Sequence, residues 1–299
     1  MSNPGNECNL CGSKDHQLVY QKLSKNEAFQ EDYFISEAKI QKPDKIFKCQ
    51  NCGLVFAQLS QEGQKYIDQY SNMVDEEYLK EEAGRREASV RILKRIEAYK
   101  PKGKLLDIGC ANGLFLDEAR RRGWDVAGVE VSKWAASYAR ERLGLKVSIG
   151  SLHSACFPAE SFDVVVMTDV IEHLIDPKGA FLEIARILKK DGIACISTPD
   201  IASTMSRLLG AKWWGINKYH LFYFSKETFQ KMALACGFEI AKYNPHIRIF
   251  SIHYWIKRIK PYNHILGRMI DGICKITRCG SWRLGINFYD QIEVVVRKK

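Results

Sequence analysis

The chain has 299 residues, 46% hydrophobic and 27% charged, with a formal charge of +10. This is ordinary globular composition, enough for one large core and a small second one. No run of 18 apolar residues occurs, which argues against a spanning helix. The start, MSNPGNECNLCGSKD, is polar and lacks the apolar stretch of a secretory signal, so a cytoplasmic location with mostly reduced cysteines is expected.

Two cysteine pairs come first, Cys8-x2-Cys11 and Cys49-x2-Cys52, in the contexts CNLCG and CQNCG. A two-residue spacer lets two thiolates converge on one tetrahedral ion, and the glycine that follows permits a tight turn. Two such pairs form a closed shell for structural Zn2+. The 37 residues between them are long for a compact ribbon, but a hairpin with an insertion spans them, because loop closure costs grow slowly with length. A redox role needs one pair on a thioredoxin-like helix, and here there are two. Cys110, Cys156, Cys195 and Cys236 lie in apolar contexts that suit packing, and Cys274 and Cys279 have no partners of metal spacing.

Residues 60–80 are polar with spaced tyrosines and read as a connector. From 77 to 99 the spacing of Val90, Leu93 and Ile96 predicts a helix, ended by Pro101 and Gly103. KLLDIGC then predicts a strand and GLFLDEARRRG a helix stopped by Gly123. WDVAGVEVS, LKVSIGS, FDVVVMTDV and GIACISTP predict four more strands. Helices KWAASYARERLG and PKGAFLEIARILKKDG alternate with them, the second opening at Pro177 and closing before Gly192. Such alternation predicts an α/β fold, a parallel sheet with helices on both faces. FEIAKYNP and NFYDQIEVVVRKK predict two final antiparallel strands.

Between those strands lies a long insertion, 246–284. Ile252, Trp255, Ile256 and Ile259 follow helical spacing, as do Leu266, Met269, Ile270 and Ile273 after Pro261, with basic residues interleaved. Residues 246–299 hold eleven Lys/Arg against three Asp/Glu, a net of +8. The insertion therefore reads as a basic amphipathic helix pair. It has three candidate partners: an anionic membrane surface, the protein's own active site or a second copy, and RNA phosphates.

In a doubly wound sheet the ligand lies beyond the C-terminal strand ends. Asp107, Gly109 and Gly113 fall there, with Cys110 and Ala111 between the glycines. Glu130 closes the second strand, 23 residues after Asp107, where an acid can accept both hydroxyls of a ribose. The glycine spacing does not match the G-x-G-x-x-G of dinucleotide loops. The pattern D-x-G-x-x-x-G followed by an acid resembles the S-adenosyl-L-methionine site of class I methyltransferases, with Ala111 where those proteins usually carry glycine. FDVVVMTDVIEHLIDP (162–177) and KWWGINKYHLFYFSKETFQKMALACGF (212–238) resemble the small-molecule branch, which includes ubiquinone-biosynthesis O-methyltransferases. The front CNLCG…FKCQNCGLVF resembles that of some members of the same branch, including some that modify sugars.

The resemblance implies a Rossmann-like class I methyltransferase fold over 101–299. A zinc-ribbon-like module at 1–60 and a connector and helix at 61–100 precede it. It implies that Asp107, Gly109, Cys110, Ala111 and Gly113 shape the methionine end of the cofactor, that Glu130 holds the ribose, and that Val131, Ser151 and Leu152 flank the adenine. Asp169 and Glu172 would orient cofactor or acceptor. His173, after the fourth strand, and His220, in the segment that covers the pocket, are both candidate general bases. Trp213, Trp214, Tyr219 and Tyr223 are candidate pocket walls or plain core. No NPPY-type tetrapeptide of amino-group methylation and no Pro-Cys nucleophile pair occurs. The expected activity is methyl transfer to a small-molecule or lipid-linked acceptor, with O-methylation of a sugar, glycan precursor or quinone-like phenol as the leading expectation. The alternative is an RNA methyltransferase docked through its zinc module. The ribbon segment has about as many acids as bases, which suits phosphate binding poorly.

Overall fold

Among the described residues, the chain builds one large sheet and two small ones in the computed structural model. The structure describes residues 7–21, 43–58, 71, 74–260, 264–277 and 279–299. Residues 1–6, the 22–42 stretch of the ribbon insertion, most of the 60–80 connector and the turn at Pro261 lie outside the described residues.

Strands β1 (His16–Gln21), β2 (Lys45–Cys49) and β3 (Val55–Ala57) form the antiparallel ribbon expected around the cysteines. In each knuckle the glycine after the second position of the turn has positive φ, +73° at Gly12 and +84° at Gly53. Its N–H returns to the carbonyl of Cys8 or Cys49. Helix α1 (Glu76–Lys80) and helix α2 (Glu82–Glu97) replace the single helix predicted from 77 to 99. The break falls at Glu81, whose carboxylate accepts the backbone N–H of Ser251 at 2.8 Å and its hydroxyl at 2.6 Å. A tertiary contact, invisible to periodicity, sets this kink.

The large sheet follows: β4 (Lys104–Ile108), α3 (Leu114–Arg121), β5 (Asp125–Glu130), α4 (Lys133–Leu143), β6 (Val147–Ile149), β7 (Phe162–Thr168), α5 (Pro177–Ile187) and β8 (Leu188–Pro199). Beyond these lie α6 (Thr204–Leu209), β9 (Phe222–Tyr223), α7 (Lys226–Ala235), β10 (Phe238–Asn244), β11 (Arg248–Ser251), α8 (Ile252–Ile259), α9 (His264–Thr277), β12 (Arg283–Ile286) and β13 (Gln291–Lys298). The strand order is β10-β13-β8-β7-β4-β5-β6, with β13 antiparallel to both neighbours and the rest parallel as predicted.

Alternate residues on one strand feed opposite cores. Leu106, Val165, Met167, Ala194 and Ile196 join one, and Leu105, Val164, Val166, Ile193 and Cys195 the other. Burial on both faces explains why these strands read as continuous apolar runs. Helix α5 stops at Ile187, short of the predicted Gly192. Leu188 takes up extended backbone and pairs with Phe162, and Asp191 bends the chain at φ +61°. Pairing with β7 overrides helical propensity there. Cys156 is exposed in a turn, not packed as expected, whereas Cys110, Cys195 and Cys236 are buried.

The ribbon does not stand apart. β9 extends it as a fourth strand, pairing Val55 with Tyr223 and Phe56 with Phe222. Cys8, Leu10, Cys49, Leu54 and Phe56 share a core with the large sheet. Asn9 bonds Asp176 and the Lys178 N–H at the start of α5, and Lys231 Nζ donates to the Cys52 carbonyl. Trp213 and Tyr223 are core residues with Ile46 and Ala57, so the plain reading applies to both. The insertion is the expected helix pair, standing on a two-stranded ladder, β11 with β12, that the sequence did not reveal.

Candidate functional site

The sheet order places the switch point at β4, whose neighbours β5 and β7 lie on either side of it. Beyond β4 the chain turns through Gly109 (φ +70°), where a side chain would strike Val170, and Ala111 (φ +47°). The missing side chain thus lets Val170, in the loop after β7, pack directly against this turn. Gly113 keeps α3 close to Ala139 and Leu145. Cys110 turns its thiol into the core beside Gly128, so only its backbone belongs to the loop.

Glu130 is buried at the end of β5. Its two carboxylate oxygens accept the N–H groups of Ala111 at 2.8 Å and Ser132 at 2.7 Å. These bonds lock the end of β5 to the glycine loop and leave each oxygen a second lone pair. Asp107 is also buried, and its carboxylate takes no hydrogen bond among the described residues. Burial first, and the neighbouring Glu130 charge second, push its carboxyl well above the ordinary range. Burial raises Glu130 too, against the three backbone N–H groups near it.

Three groups that the sequence did not signal complete this end. Asn112 is buried, and neither its amide N nor its amide O has a partner among the described residues. Tyr78 lies within electrostatic reach: burial raises its phenol, Arg85 lowers it, and Asp107 and Glu130 raise it further. The Arg85 guanidinium stacks 3.5 Å from the centre of the Tyr78 ring. Nothing in the polar run around Tyr78 sets it apart from its neighbours; only the fold brings it here. Val131 follows Glu130 and is half-buried. Ser151 is exposed and tied by its hydroxyl to the Ser154 N–H, while Leu152 packs into the core.

The second half of the site lies after β7. Asp169, at φ +54°, accepts the Ser197 hydroxyl at 3.0 Å and the Gln291 amide at 3.2 Å. Glu172 is buried and accepts the Thr198 hydroxyl at 3.0 Å. Burial and then the Asp169 charge raise its carboxyl well above the usual range. His173 and His220, 47 positions apart in the chain, meet edge to face with ring centres 4.7 Å apart. His173 Nδ1 bonds the Tyr219 carbonyl at 2.8 Å and His220 Nδ1 the Gly215 carbonyl at 2.7 Å. A carbonyl only accepts, so both Nδ1 atoms carry a proton, and in the neutral ring Nε2 has the lone pair. Burial lowers His173, opposed by the Tyr219 carbonyl and by Asp169. One ligand atom each from Glu172, His173 and His220 lies within 4.8 Å of the others, an arrangement able to hold a divalent cation.

In the ribbon, the four sulfurs of Cys8, Cys11, Cys49 and Cys52 lie within 4.8 Å of one another, with Cys8–Cys52 at 3.4 Å and Cys11–Cys49 at 3.6 Å. Tetrahedral thiolates around zinc at ~2.3 Å would stand about 3.8 Å apart. Burial pushes Cys8 up to about 11, whereas Cys11, despite some burial, is brought down to about 7 by bonds from Ser13 and Asn51. Cys274 and Cys279 do meet, sulfur to sulfur at 3.4 Å, and the Thr277 hydroxyl donates to Cys279, but they belong to no cluster of three or more Cys, His or carboxylate ligands among the described residues.

A seven-stranded sheet of this order, with a glycine loop clamped to an acid at the end of β5, is the class I S-adenosylmethionine-dependent methyltransferase fold. The chain belongs to the methyltransferase-domain family, whose model matches residues 80–243. It is similar to a ubiquinone biosynthesis O-methyltransferase of Psychrobacter arcticus, 27% identical over 184 residues, covering 54% of this chain and 70% of that one. It is also similar to the protein of that name from Azoarcus sp., 34% identical over 102 residues, 32% of this chain and 43% of the relative. Thus the chain spans less than half the length of that relative. Among solved structures, an S-adenosylmethionine-dependent methyltransferase from Thermotoga maritima superposes with a TM-score of 0.50 at 21% identity, covering 79% of this chain and 97% of that one. A Pyrococcus horikoshii protein gives 0.50 at 18% identity, covering 79% and 99%. These two likenesses concern the fold.

Proposed function

We propose that this chain transfers a methyl group from S-adenosylmethionine to a hydroxyl of a small-molecule acceptor: a sugar, a glycan precursor or a quinone-like phenol. The residues at β4 and β5 fit the cofactor. Asp107 is a buried carboxylate lacking a donor, and a ligand bearing an ammonium and a sulfonium supplies the missing positive charge. Glu130, already fixed by two N–H groups, keeps acceptor capacity for ribose hydroxyls. Asn112 offers an unpartnered amide. Gly109, Ala111 and Gly113 would shape the methionine end, and Val131, Leu152 and the backbone at Ser151 the adenine end. When bound, the cofactor supplies a methyl group activated on sulfur; the protein orients the acceptor and takes its proton.

The observation that carries the O-directed reading is the His173–His220 pair, whose Nδ1–H groups are anchored on backbone carbonyls and whose Nε2 atoms hold the lone pairs. Such an imidazole beside the acceptor accepts a hydroxyl proton. A second reading uses the same atoms: Glu172, His173 and His220 would hold a divalent cation, which would polarise the acceptor oxygen. The names of the relatives favour a quinone-like phenol among the acceptors.

Residues 1–60 are best treated as a zinc-holding module built on Cys8, Cys11, Cys49 and Cys52, 61–100 as connector and helix, and 101–299 as the methyltransferase domain. A cytoplasmic protein is proposed; no helix among the described residues is long and apolar enough to cross a membrane. The test is to incubate the protein with methyl-labelled S-adenosylmethionine and a host extract, then separate RNA, lipid-extractable and small soluble fractions. Label in either of the last two is expected. Label confined to RNA would replace this reading with an RNA methyltransferase.

A further inference from the structure

Helix α9 is inverted relative to an ordinary surface helix. Its packed side carries Gly267 and Cys274, and Asp271 there bonds Lys260 at 3.3 Å. The opposite side should be polar. Instead Ile265, Met269, Ile273 and Ile276 stand 70%, 62%, 57% and 85% exposed. At ~100° per residue these four fall within about 80° of one another, a single apolar stripe facing away from the protein. Arg268 and Lys275, both exposed, flank it on one side. Trp282, three residues past the Cys279 that meets Cys274 of this helix, is 68% exposed.

An exposed apolar stripe needs a covering surface. Charge decides which. Residues 252–286 contain seven Lys/Arg and one acidic residue, Asp271. A second copy docked by the same face would bring Arg268 and Lys275 against their equivalents, since a two-fold interface places like on like. An anionic lipid surface complements the cations and accepts the isoleucines and the indole.

We propose that α9 and its flanks seat the protein on an anionic lipid bilayer, with Ile265, Met269, Ile273 and Ile276 entering the headgroup–acyl boundary and Arg268 and Lys275 meeting lipid phosphates. The helix lies in the plane of the interface and does not cross it. This inference does not rest on the acceptor assignment.

The test is co-sedimentation of the full-length protein with phosphatidylcholine vesicles, with and without phosphatidylglycerol. The protein is expected to sediment only with the anionic vesicles, and less so as salt is raised. Met269→Glu with Ile273→Glu, both at exposed positions, is expected to weaken binding by at least about tenfold with unchanged circular dichroism. Arg268→Ser with Lys275→Ser should weaken it less and flatten the salt dependence. Equal binding to neutral and anionic vesicles, no binding to either, or undiminished binding of the glutamate variant would overturn the proposal. So would sedimentation velocity showing a dimer that the glutamate substitutions dissociate, because the stripe would then belong to a second copy.

Discussion

Glu130 accepts two backbone N–H groups at once, which only a carboxylate can do at that position. Glu130→Gln puts an NH2 against one of those donors, and a cost of about 1–3 kcal/mol in stability is expected from urea unfolding. Titration calorimetry should show cofactor affinity falling by about tenfold or more, the equivalent of roughly 1.4 kcal/mol. Asp107 and Glu172 hold protons to higher pH in the folded protein than in the unfolded chain, where carboxyls titrate near ~4. A raised folded value means that the stabilisation is present at low pH and is lost as pH rises through it. The unliganded protein should therefore lose melting temperature as pH climbs above the ordinary carboxylate range. S-adenosylmethionine should reverse part of that loss, because it favours the charged Asp107, and its affinity should strengthen with pH over the same window. A melting profile that rises with pH in the free protein would contradict this. For the histidines, His173→Ala and His220→Ala should each lower turnover by about 10²- to 10⁴-fold with cofactor affinity unchanged. Loss of activity on chelation, restored by a divalent cation in the wild type but not in Glu172→Gln, would favour the metal reading.

Two elements owe their roles to contacts between distant segments. The ribbon gives its fourth strand position to β9, and that strand begins two residues after His220, with the Leu221 N–H bonded to the Glu172 carbonyl at 2.7 Å. The cysteine module thus braces the histidine pair and, among the described residues, makes no hydrogen bond with Asp107 or Glu130. Stripping the proposed zinc from the ribbon, or replacing Cys49 by Ser, should abolish most turnover and lower thermal stability while leaving cofactor affinity nearly unchanged. Equal losses of both would deny the ribbon this local role. The kink between α1 and α2 is the second case. A methyl group at Gly84 would overlap the Ile249 carbonyl of β11. Gly84→Ala should therefore destabilise by about 1–3 kcal/mol from overpacking, although helix propensity alone would stabilise it by about 0.5–1 kcal/mol. The sign of the change in urea midpoint separates the two effects.

Across the whole molecule, the insertion joins the Asp107–Glu130 end to the surface. β11 leans on α2, whose Arg85 stacks on Tyr78 at the Asp107–Glu130 site, and it also faces Phe250 of β11 at 5.3 Å from the ring centre. Phe250, Tyr254, Trp255, Phe288 and Trp214 continue as an unbroken chain of ring contacts. Trp214 Nε1 ends on Asp290 at 2.6 Å, which Arg248 also holds. An outward face on α9 and an aromatic path inward from α8 therefore belong to one inserted unit. Deleting 252–282 while retaining the ladder strands should cost vesicle binding and also weaken cofactor affinity, through loss of the Tyr254 and Trp255 rings that pack behind Phe250, the neighbour of Arg85.

Local chemistry was enough to make the strands, the glycine loop, the acid that ends β5, the paired cysteines and the amphipathic insertion legible in the sequence. Each of these depends on residues close together in the chain: period-two or continuous burial, positive φ at glycine, thiolates two residues apart. The tertiary structure alone decided that His173 and His220 form one pair, that Tyr78, stacked on Arg85, comes within electrostatic range of the two acids, that β9 completes the ribbon, and that the apolar stripe of α9 faces outward. Periodicity reports that a helix has an apolar side, but which side is covered depends on what packs against the other. Contacts such as Glu81 with Ser251 or Glu172 with Leu221 join segments that share no local pattern, so no spacing in the chain encodes them.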